Sequence, residues 1–204
     1  HRAGKAEYLR KKLNIQINIY YSSLQLRANN TLNIIQQVMN DKKSIIKAWE
    51  LNERHYGSLT GLNKEEMNKK IGKNKVHEIR RSWDTKPDAL EKTSPYHPIN
   101  IKTYDKIPKE ILPDTESLKD TYERVLKYFD KEIKEKLNDK NILISAHGNS
   151  IRALCKNLFN LDNNQISNLE IPTGNPLIIE FDTELKIIRC EYLDEERSKD
   201  LLVF

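Results

Sequence analysis

The sequence predicts an α/β domain with parallel strand pairing, on two local patterns and on its length. Ile15, Ile17, Ile19 and Tyr21 alternate with Gln16, Asn18 and Tyr20, the period-two signature of a strand. Leu24, Ala28, Leu32, Ile35 and Val38 or Met39 follow at helical spacing, and Ile45 to Leu51 reads as a second, weaker strand. Strand, helix and strand within so short a span make a parallel βαβ unit. The 204 residues suffice for one such domain with a proper core.

A second strand-to-helix junction organises the rest. Ile142, Leu143 and Ile144 form a short apolar run of the kind a strand buried on both faces shows. Asn149 and Ser150 are good N-caps, and Ile151, Leu154, Cys155 and Leu158 continue as a helix stripe. His147 and Gly148 therefore fall at the carboxyl end of a strand, where open α/β sheets bind ligands and free helix N–H groups favour an anion. A histidine there can donate to a phosphate or merely cap the turn.

The remaining elements follow in order. Arg2 to Leu13 is expected as a helix with Ala6, Leu9 and Leu13 inward. The segment 51–64 has loop composition, and short helices are predicted from Lys64 to Ile71 and from Lys75 to Trp83. Between Asp84 and Pro113 lie Pro87, Pro95, Pro98, Pro108 and Pro113, five of the seven prolines, so this stretch is expected to run over the surface. Asp114 to Leu137 is predicted as one long helix carrying Leu118, Tyr122, Val125, Leu126, Phe129 and Ile133 on one face. The run 171–176 is a turn, and 177–181 and 186–192 are predicted strands.

Bulk composition narrows the function. The two cysteines, Cys155 and Cys190, are far apart and fall in predicted core elements, so they are expected as core thiols in a reduced, cytoplasmic setting. The five histidines are scattered without metal-ligand spacing, so no metal is expected. No apolar run approaches a membrane span. The net charge of +5 raises the question of nucleic acid, but basic residues alternate with acids, as in 131–136, the mark of a solvated face. Anionic small molecules fit this balance better.

Several cationic side chains cluster at predicted junctions and loops: Arg27 at the start of the helix after the 15–22 strand, and Arg54, Lys64, Arg80 and Arg81 in the middle segments. Arginine suits phosphate and carboxylate because its planar fork donates two parallel hydrogen bonds. Arg152, inside a helix, reads as an ordinary surface charge. Glu53, set between Asn52 and Arg54, is a candidate general acid/base, or else a salt-bridge partner of a nearby arginine.

Taken in order, Tyr21-Ser22-Ser23-Leu24-Gln25-Leu26-Arg27-Ala28, Leu51-Asn52-Glu53-Arg54-His55-Tyr56-Gly57, Gly61-Leu62-Asn63-Lys64, Arg80-Arg81-Ser82, 146–154 (which opens Ala146-His147-Gly148-Asn149-Ser150) and Ile171-Pro172-Thr173-Gly174 resemble the 2,3-bisphosphoglycerate-dependent phosphoglycerate mutases of the histidine phosphatase superfamily. The resemblance covers essentially the whole chain. It implies a three-layer α/β fold, with a mostly parallel central sheet and helices on both faces, as a single domain over 1–204. It implies interconversion of 3-phosphoglycerate and 2-phosphoglycerate in glycolysis and gluconeogenesis through a phosphohistidine, with 2,3-bisphosphoglycerate as phosphoryl primer and no metal. Glu53 matches the proton donor/acceptor, and His147 the histidine that stabilises the phosphoryl group in flight. Arg27, Arg54, His55, Tyr56, Lys64, Arg80, Arg81, Gly148 and Asn149 match substrate-binding positions. A homo-oligomer, dimer or tetramer, is also implied.

The match has one departure. The family's nucleophile lies in an Arg-His-Gly segment at the end of its first strand, and no Arg-His-Gly occurs here. His1-Arg2 falls by alignment in the helix after that strand. The chain is therefore expected to be N-terminally incomplete, with the first strand missing and the 204 residues inactive as they stand. The alternatives to a mutase are a phosphatase of the same superfamily and an inactive truncated product. Lys64, Arg80, Arg81 and the long 84–113 segment favour the mutase, which must hold a substrate anionic at both ends.

Overall fold

β1 (Ile19–Ser22) is the centre of a three-stranded sheet ordered β2–β1–β3, with β2 at Ile45–Lys47 and β3 at Ile142–Ser145, all parallel. The computed structural model describes residues 15–198, so the helix expected over 2–13 lies outside the described residues. Registration is tight: Tyr20 stands opposite Ile45 and Leu143, and Ser22 opposite Lys47 and Ser145. All three strands thus deliver their carboxyl ends to one edge of the sheet, where parallel sheets place their ligands.

Pleating sends Tyr20 and Tyr21 to opposite faces, and both are fully buried. On one face lies α1 (Leu26–Met39), which turns Ala28, Leu32 and Met39 inward and accepts a bond from Ser145 Oγ at the Ala28 carbonyl, 3.0 Å. On the other, α4 (Leu118–Tyr128) and α5 (Gly148–Leu158) close over the sheet. Tyr21, Leu51, Val125, Phe129, Ile133, Ala153 and Leu154 form that core, with Ile19, Ile142 and Ile144 packed against it. Each large aliphatic side chain buried there contributes about 1.5–3 kcal/mol. The layers are thus helix, parallel sheet, helices, the arrangement the resemblance implies.

A second core joins the outer flank of α5 to α6 (Asn163–Asn168) and to an antiparallel hairpin, β4 (Leu177–Phe181) and β5 (Ile187–Tyr192). Its centre is Leu118, Cys155, Ile166 and Leu169, with Leu177 and Trp83 against it. The hairpin is a separate two-stranded sheet. Among the described residues β2 and β3 are the two edges of the parallel sheet.

The boundaries correct the sequence reading in places. The first strand starts at Ile19 rather than Ile15 and runs on to Ser22. The second stops at Lys47, because Trp49–Leu51 winds into a single 3-10 turn. α2 (Lys64–Ile71) has the expected limits, starting on an Asn63–Glu66 capping box, and α3 runs over Lys73–Arg81 rather than 75–83. The long helix expected from Asp114 begins only at Leu118, where Ser117 and Asp120 cap each other reciprocally. It ends at Tyr128, widens into a π turn over Phe129–Ile133 and tightens into a 3-10 turn over Lys134–Asn138. α6 had no counterpart in the sequence reading, although Asp162 and Gln165 have capping-box spacing and form one. The proline-rich stretch is a series of 3-10 turns anchored by buried His97, whose Nε2 lies 2.9 Å from Asp114 Oδ1. Cys155 and Cys190 are free thiols, and burial pushes the Cys155 thiol up to about 12.

Candidate active site

Three segments converge at the carboxyl edge of the parallel sheet. β1 runs out into Ser23, Gln25 and Arg27; β3 runs out into His147 at the start of α5; the 3-10 turn after β2 delivers Glu53. His147 is 6% exposed, with Nε2 2.8 Å from Ser23 Oγ and Nδ1 accepting from Arg27 Nε at 3.0 Å. Burial, with the positive charges of Arg27 and Arg124, lowers its pKa to about 3, so the ring is neutral.

Glu53 faces the same helix start. Its Oε1 accepts the Arg54 amide at 2.8 Å and the Asn149 amide at 3.3 Å. A carboxylate on the first turn of a helix is favoured by the free N–H groups and the dipole. Gln25 Oε1 ties the two sides together, accepting from Arg27 Nη2 and from the Glu53 amide, both at 3.1 Å. Asn149 Nδ2 donates to the Tyr56 hydroxyl at 3.2 Å. Glu53, Tyr56, Arg27, His147 and Asn149 thus form one connected group. Gly148 is exposed beside them, and a Cβ built on it meets nothing within 4 Å, so space lies open over the helix start.

Other candidates sit elsewhere. Arg54 is 3% exposed, and its guanidinium donates to the carbonyls of Glu116, Ile79 and Thr85 at 2.8, 2.7 and 2.9 Å. It also lies 5.1 Å from the Tyr56 ring centroid, so here it shapes the loop that carries Tyr56. His55 turns toward the 84–116 segment: its Nδ1 accepts the Gly57 amide, and its ring lies 6.2 Å from that of His97, tilted by 47°. Burial lowers its pKa, and its Nε2 is buried without a partner. Lys64 is exposed at the first position of α2, and Arg80 is exposed on α3. Arg81 is paired with Glu170, whose carboxyl it holds below the ordinary range. No bond joins these three cations to His147 or Glu53.

Arg152 corrects the sequence reading. It is not a surface charge but 8% exposed, donating to the Ile166 and Ser167 carbonyls and, at 3.0 Å, to Asn149 Oδ1. It therefore ties α6 to the site helix and orients Asn149. Sequence reasoning also missed Gln25 as the link between Arg27 and Glu53. It missed the buried Arg124–Glu116 pair behind the Glu53 loop as well. Local pattern gives no signal for either, since both rest on partners distant in the chain.

The donor set suits an anion with more than one charged group: an exposed guanidinium, an imidazole and helix-start amides at one end, with further cations on α2 and α3. Among the described residues no group of three or more His, Cys, Asp or Glu side chains is placed to hold a metal ion. No helix among them is long and apolar enough to cross a membrane.

Comparison with known proteins bears on this geometry. The family model described as the histidine phosphatase superfamily, branch 1, matches residues 3–97 and 95–191. A Pelagibacter ubique (strain HTCC1062) protein named 2,3-bisphosphoglycerate-dependent phosphoglycerate mutase is 63% identical over 97% of this chain and 83% of its own. One of the same name from Borrelia garinii subsp. bavariensis is 47% identical over 95% of this chain and 79% of its own. Among solved structures, an alpha-ribazole phosphatase from Shigella flexneri superposes with a TM-score of 0.65 at 15% identity, over 92% of this chain and 78% of that one. A mycobacterial glucosyl-3-phosphoglycerate phosphatase does so with a TM-score of 0.63 at 19% identity, over 94% and 80%. At such identities the two structures share the fold.

Proposed function

This chain belongs to the histidine phosphatase superfamily and within it to the 2,3-bisphosphoglycerate-dependent phosphoglycerate mutases, and we propose from that premise that the protein as its gene encodes it interconverts 3-phosphoglycerate and 2-phosphoglycerate. The observation that carries this reading is the meeting of Glu53, Arg27 and His147 at one helix start, from three segments far apart in sequence.

The residues divide the work as follows. Arg27, the helix-start amides of α5 and His147 receive the phosphoryl group that transfers, the one proton of the neutral imidazole passing from Ser23 Oγ to the phosphoryl oxygens. Glu53 moves the proton of the substrate hydroxyl that accepts or releases that group. Tyr56 and Asn149 hold the body of the substrate, while Lys64, Arg80 and Arg81 supply charge for its other anionic end. 2,3-bisphosphoglycerate supplies the phosphoryl group that primes the enzyme. Positioning and charge stabilisation are the main demands of such a transfer. The same reading makes the protein cytoplasmic, glycolytic and gluconeogenic, and a dimer or tetramer whose size light scattering would give.

The test uses the protein as its gene encodes it, with any residues upstream of His1. Incubation with 2,3-bisphosphoglycerate should add one acid-labile phosphoryl group to the intact mass, and 3-phosphoglycerate should then equilibrate with 2-phosphoglycerate. Release of inorganic phosphate without 2-phosphoglycerate would establish the phosphatase instead. A protein that gains no mass and turns over neither substrate would overturn the assignment.

A further inference from the structure

Behind the loop that carries Glu53 lies an ion pair with no part in the division of labour above. Arg124 on α4 and Glu116 just before that helix have side chains only 10% and 4% exposed. They meet in the two-pronged geometry of a guanidinium on a carboxylate, Nε to Oε1 at 2.6 Å and Nη2 to Oε2 at 2.9 Å. Two charges taken out of water are costly to keep, so a pair of this kind needs its remaining donors and acceptors satisfied. They are satisfied almost entirely by the loop. Arg124 donates to the carbonyls of Glu50, Asn52 and Glu53 at 2.5, 3.1 and 3.3 Å. Glu116 Oε2 accepts the His55 amide at 2.8 Å, and the Glu116 backbone exchanges bonds with its surroundings through the His55 carbonyl (2.9 Å) and Arg54 Nε (2.8 Å). The guanidinium also lies 5.6 Å from the Trp49 ring centroid.

Leu51 in the core, Asn52 Oδ1 on the Leu24 amide and Gln25 on the Glu53 amide anchor the loop from the sheet side, but regular backbone structure does not. Between the end of β2 and the start of α2 it makes only single-turn 3-10 pieces, whose own hydrogen bonds span three residues. A guanidinium that binds three of its carbonyls, those of Glu50, Asn52 and Glu53, sets the direction in which the Glu53 side chain leaves. The neighbouring carboxylate fixes the very next peptide.

We propose that Arg124, through its pair with Glu116, is a positioning residue that holds the 50–55 backbone so that the Glu53 carboxylate faces the start of α5. Besides its charge, which is felt at His147, it acts through Glu53 and not by contact with substrate. The inference rests on the proton-transfer role given to Glu53 above.

The variant Arg124→Met combined with Glu116→Gln tests it. Both charges go together, so neither is left buried alone, and the new amide still offers the His55 N–H an acceptor. In the protein as encoded, mutase turnover should fall ~10-fold or more with KM within ~2-fold, since a small misplacement of a reacting group costs this much. Phosphorylation by 2,3-bisphosphoglycerate, whose leaving oxygen takes its proton from Glu53, should slow along with turnover while its final extent stays the same. In a Glu53→Gln background the same pair of substitutions should lower turnover by less than ~2-fold, because residues acting as one unit are not additive. An equal fall in both backgrounds would mean a merely structural role and would overturn the proposal. If the unsubstituted protein does not interconvert phosphoglycerates, the proposed function fails and the clamp is judged alone, by hydrogen exchange. The amides of Glu53 to His55 should then exchange faster in the paired variant, and unchanged exchange would overturn the clamp too. Should the paired variant not fold, Arg124→Lys is read the same way, since it keeps the charge and loses the fork.

Discussion

Arg27 Nε donates to His147 Nδ1 at 3.0 Å, which fixes the protonation of that ring. Nδ1 must be unprotonated, so the single proton of the neutral imidazole sits on Nε2 and is donated to Ser23 Oγ, 2.8 Å away. An arginine on one side and a buried hydroxyl on the other therefore hold His147 in one tautomer, ready at the mouth of the helix.

This makes stability depend on pH in a defined direction. The ring's ordinary pKa of 6.5 falls to about 3 in the folded protein. Between those values the unfolded chain binds a proton that the folded chain refuses. Stability contributed by this group is therefore complete above about pH 6.5 and is lost as pH falls toward about 3, at up to about 1.4 kcal/mol per pH unit. His55, also lowered by burial, adds to the loss with the same sign. Urea midpoints followed from about pH 7 to about pH 5 should drop more steeply for the native sequence than for His147→Gln. Parallel slopes would show that His147 is not the group responsible.

Glu53→Gln keeps the hydrogen-bonding shape of the side chain and removes its ability to move a proton. Mutase turnover should fall by ~10²-fold or more, the usual worth of a general acid/base, while phosphorylation by 2,3-bisphosphoglycerate stays measurable. Turnover near that of the native protein would remove Glu53 from its assigned role. His147→Ala is expected to slow phosphorylation by 2,3-bisphosphoglycerate itself, and turnover with it; unchanged phosphorylation would count against its role.

Gly57 sits at φ +52°, and a Cβ there would stand 2.1 Å from the Asp88 carbonyl oxygen and 2.7 Å from Thr115 Oγ1. Left-handed strain alone costs a residue with a Cβ about 1–2 kcal/mol. The backbone clash adds to it, so Gly57→Ala should destabilise by about 3 kcal/mol or more. Thermal unfolding reads the effect, and a midpoint within error of the native one would show that the loop has room to shift.

Arg152→Met leaves the Ile166 and Ser167 carbonyls without their donor. A loss of about 2–4 kcal/mol is expected, the range for stripping buried acceptors of a charged partner. Faster amide exchange in α6 should accompany it. A variant of unchanged stability would contradict the account of Arg152 as the tie between α6 and α5.

Much of the fold was legible in the chain because alternation and helical spacing are local. The βαβ unit can be read in one stretch from Ile19 to Lys47, and the apolar β3 run and the His147 junction within twenty residues. So can the terminal hairpin. The misreadings have physical causes. The helix expected from Asp114 starts late because a reciprocal Ser117–Asp120 cap outweighs propensity, and it widens after Tyr128 as both Phe129 and Ile133 turn into the core. Arg152 looks like a solvated charge from sequence, and nothing local singles out Arg124, since an arginine stem lies as well against apolar surface as against water. Only the fold reveals which carbonyls wait for them. Gln25 was invisible for the same reason: its oxygen matters because two distant segments bring donors to it.

The two edges of the parallel sheet are unlike each other. β2 is three residues long and ends on Lys47, a short, charged margin that discourages another strand from docking. β3 reads Ile-Leu-Ile-Ser, with no charge, proline or bulge along it. Its row of backbone groups away from β1 is paired with no strand among the described residues. Such a margin is adhesive. Left bare, it recruits whatever extended chain comes near, a second copy included, and dilution or an added strand-forming peptide would then decide between a clear solution and a precipitate.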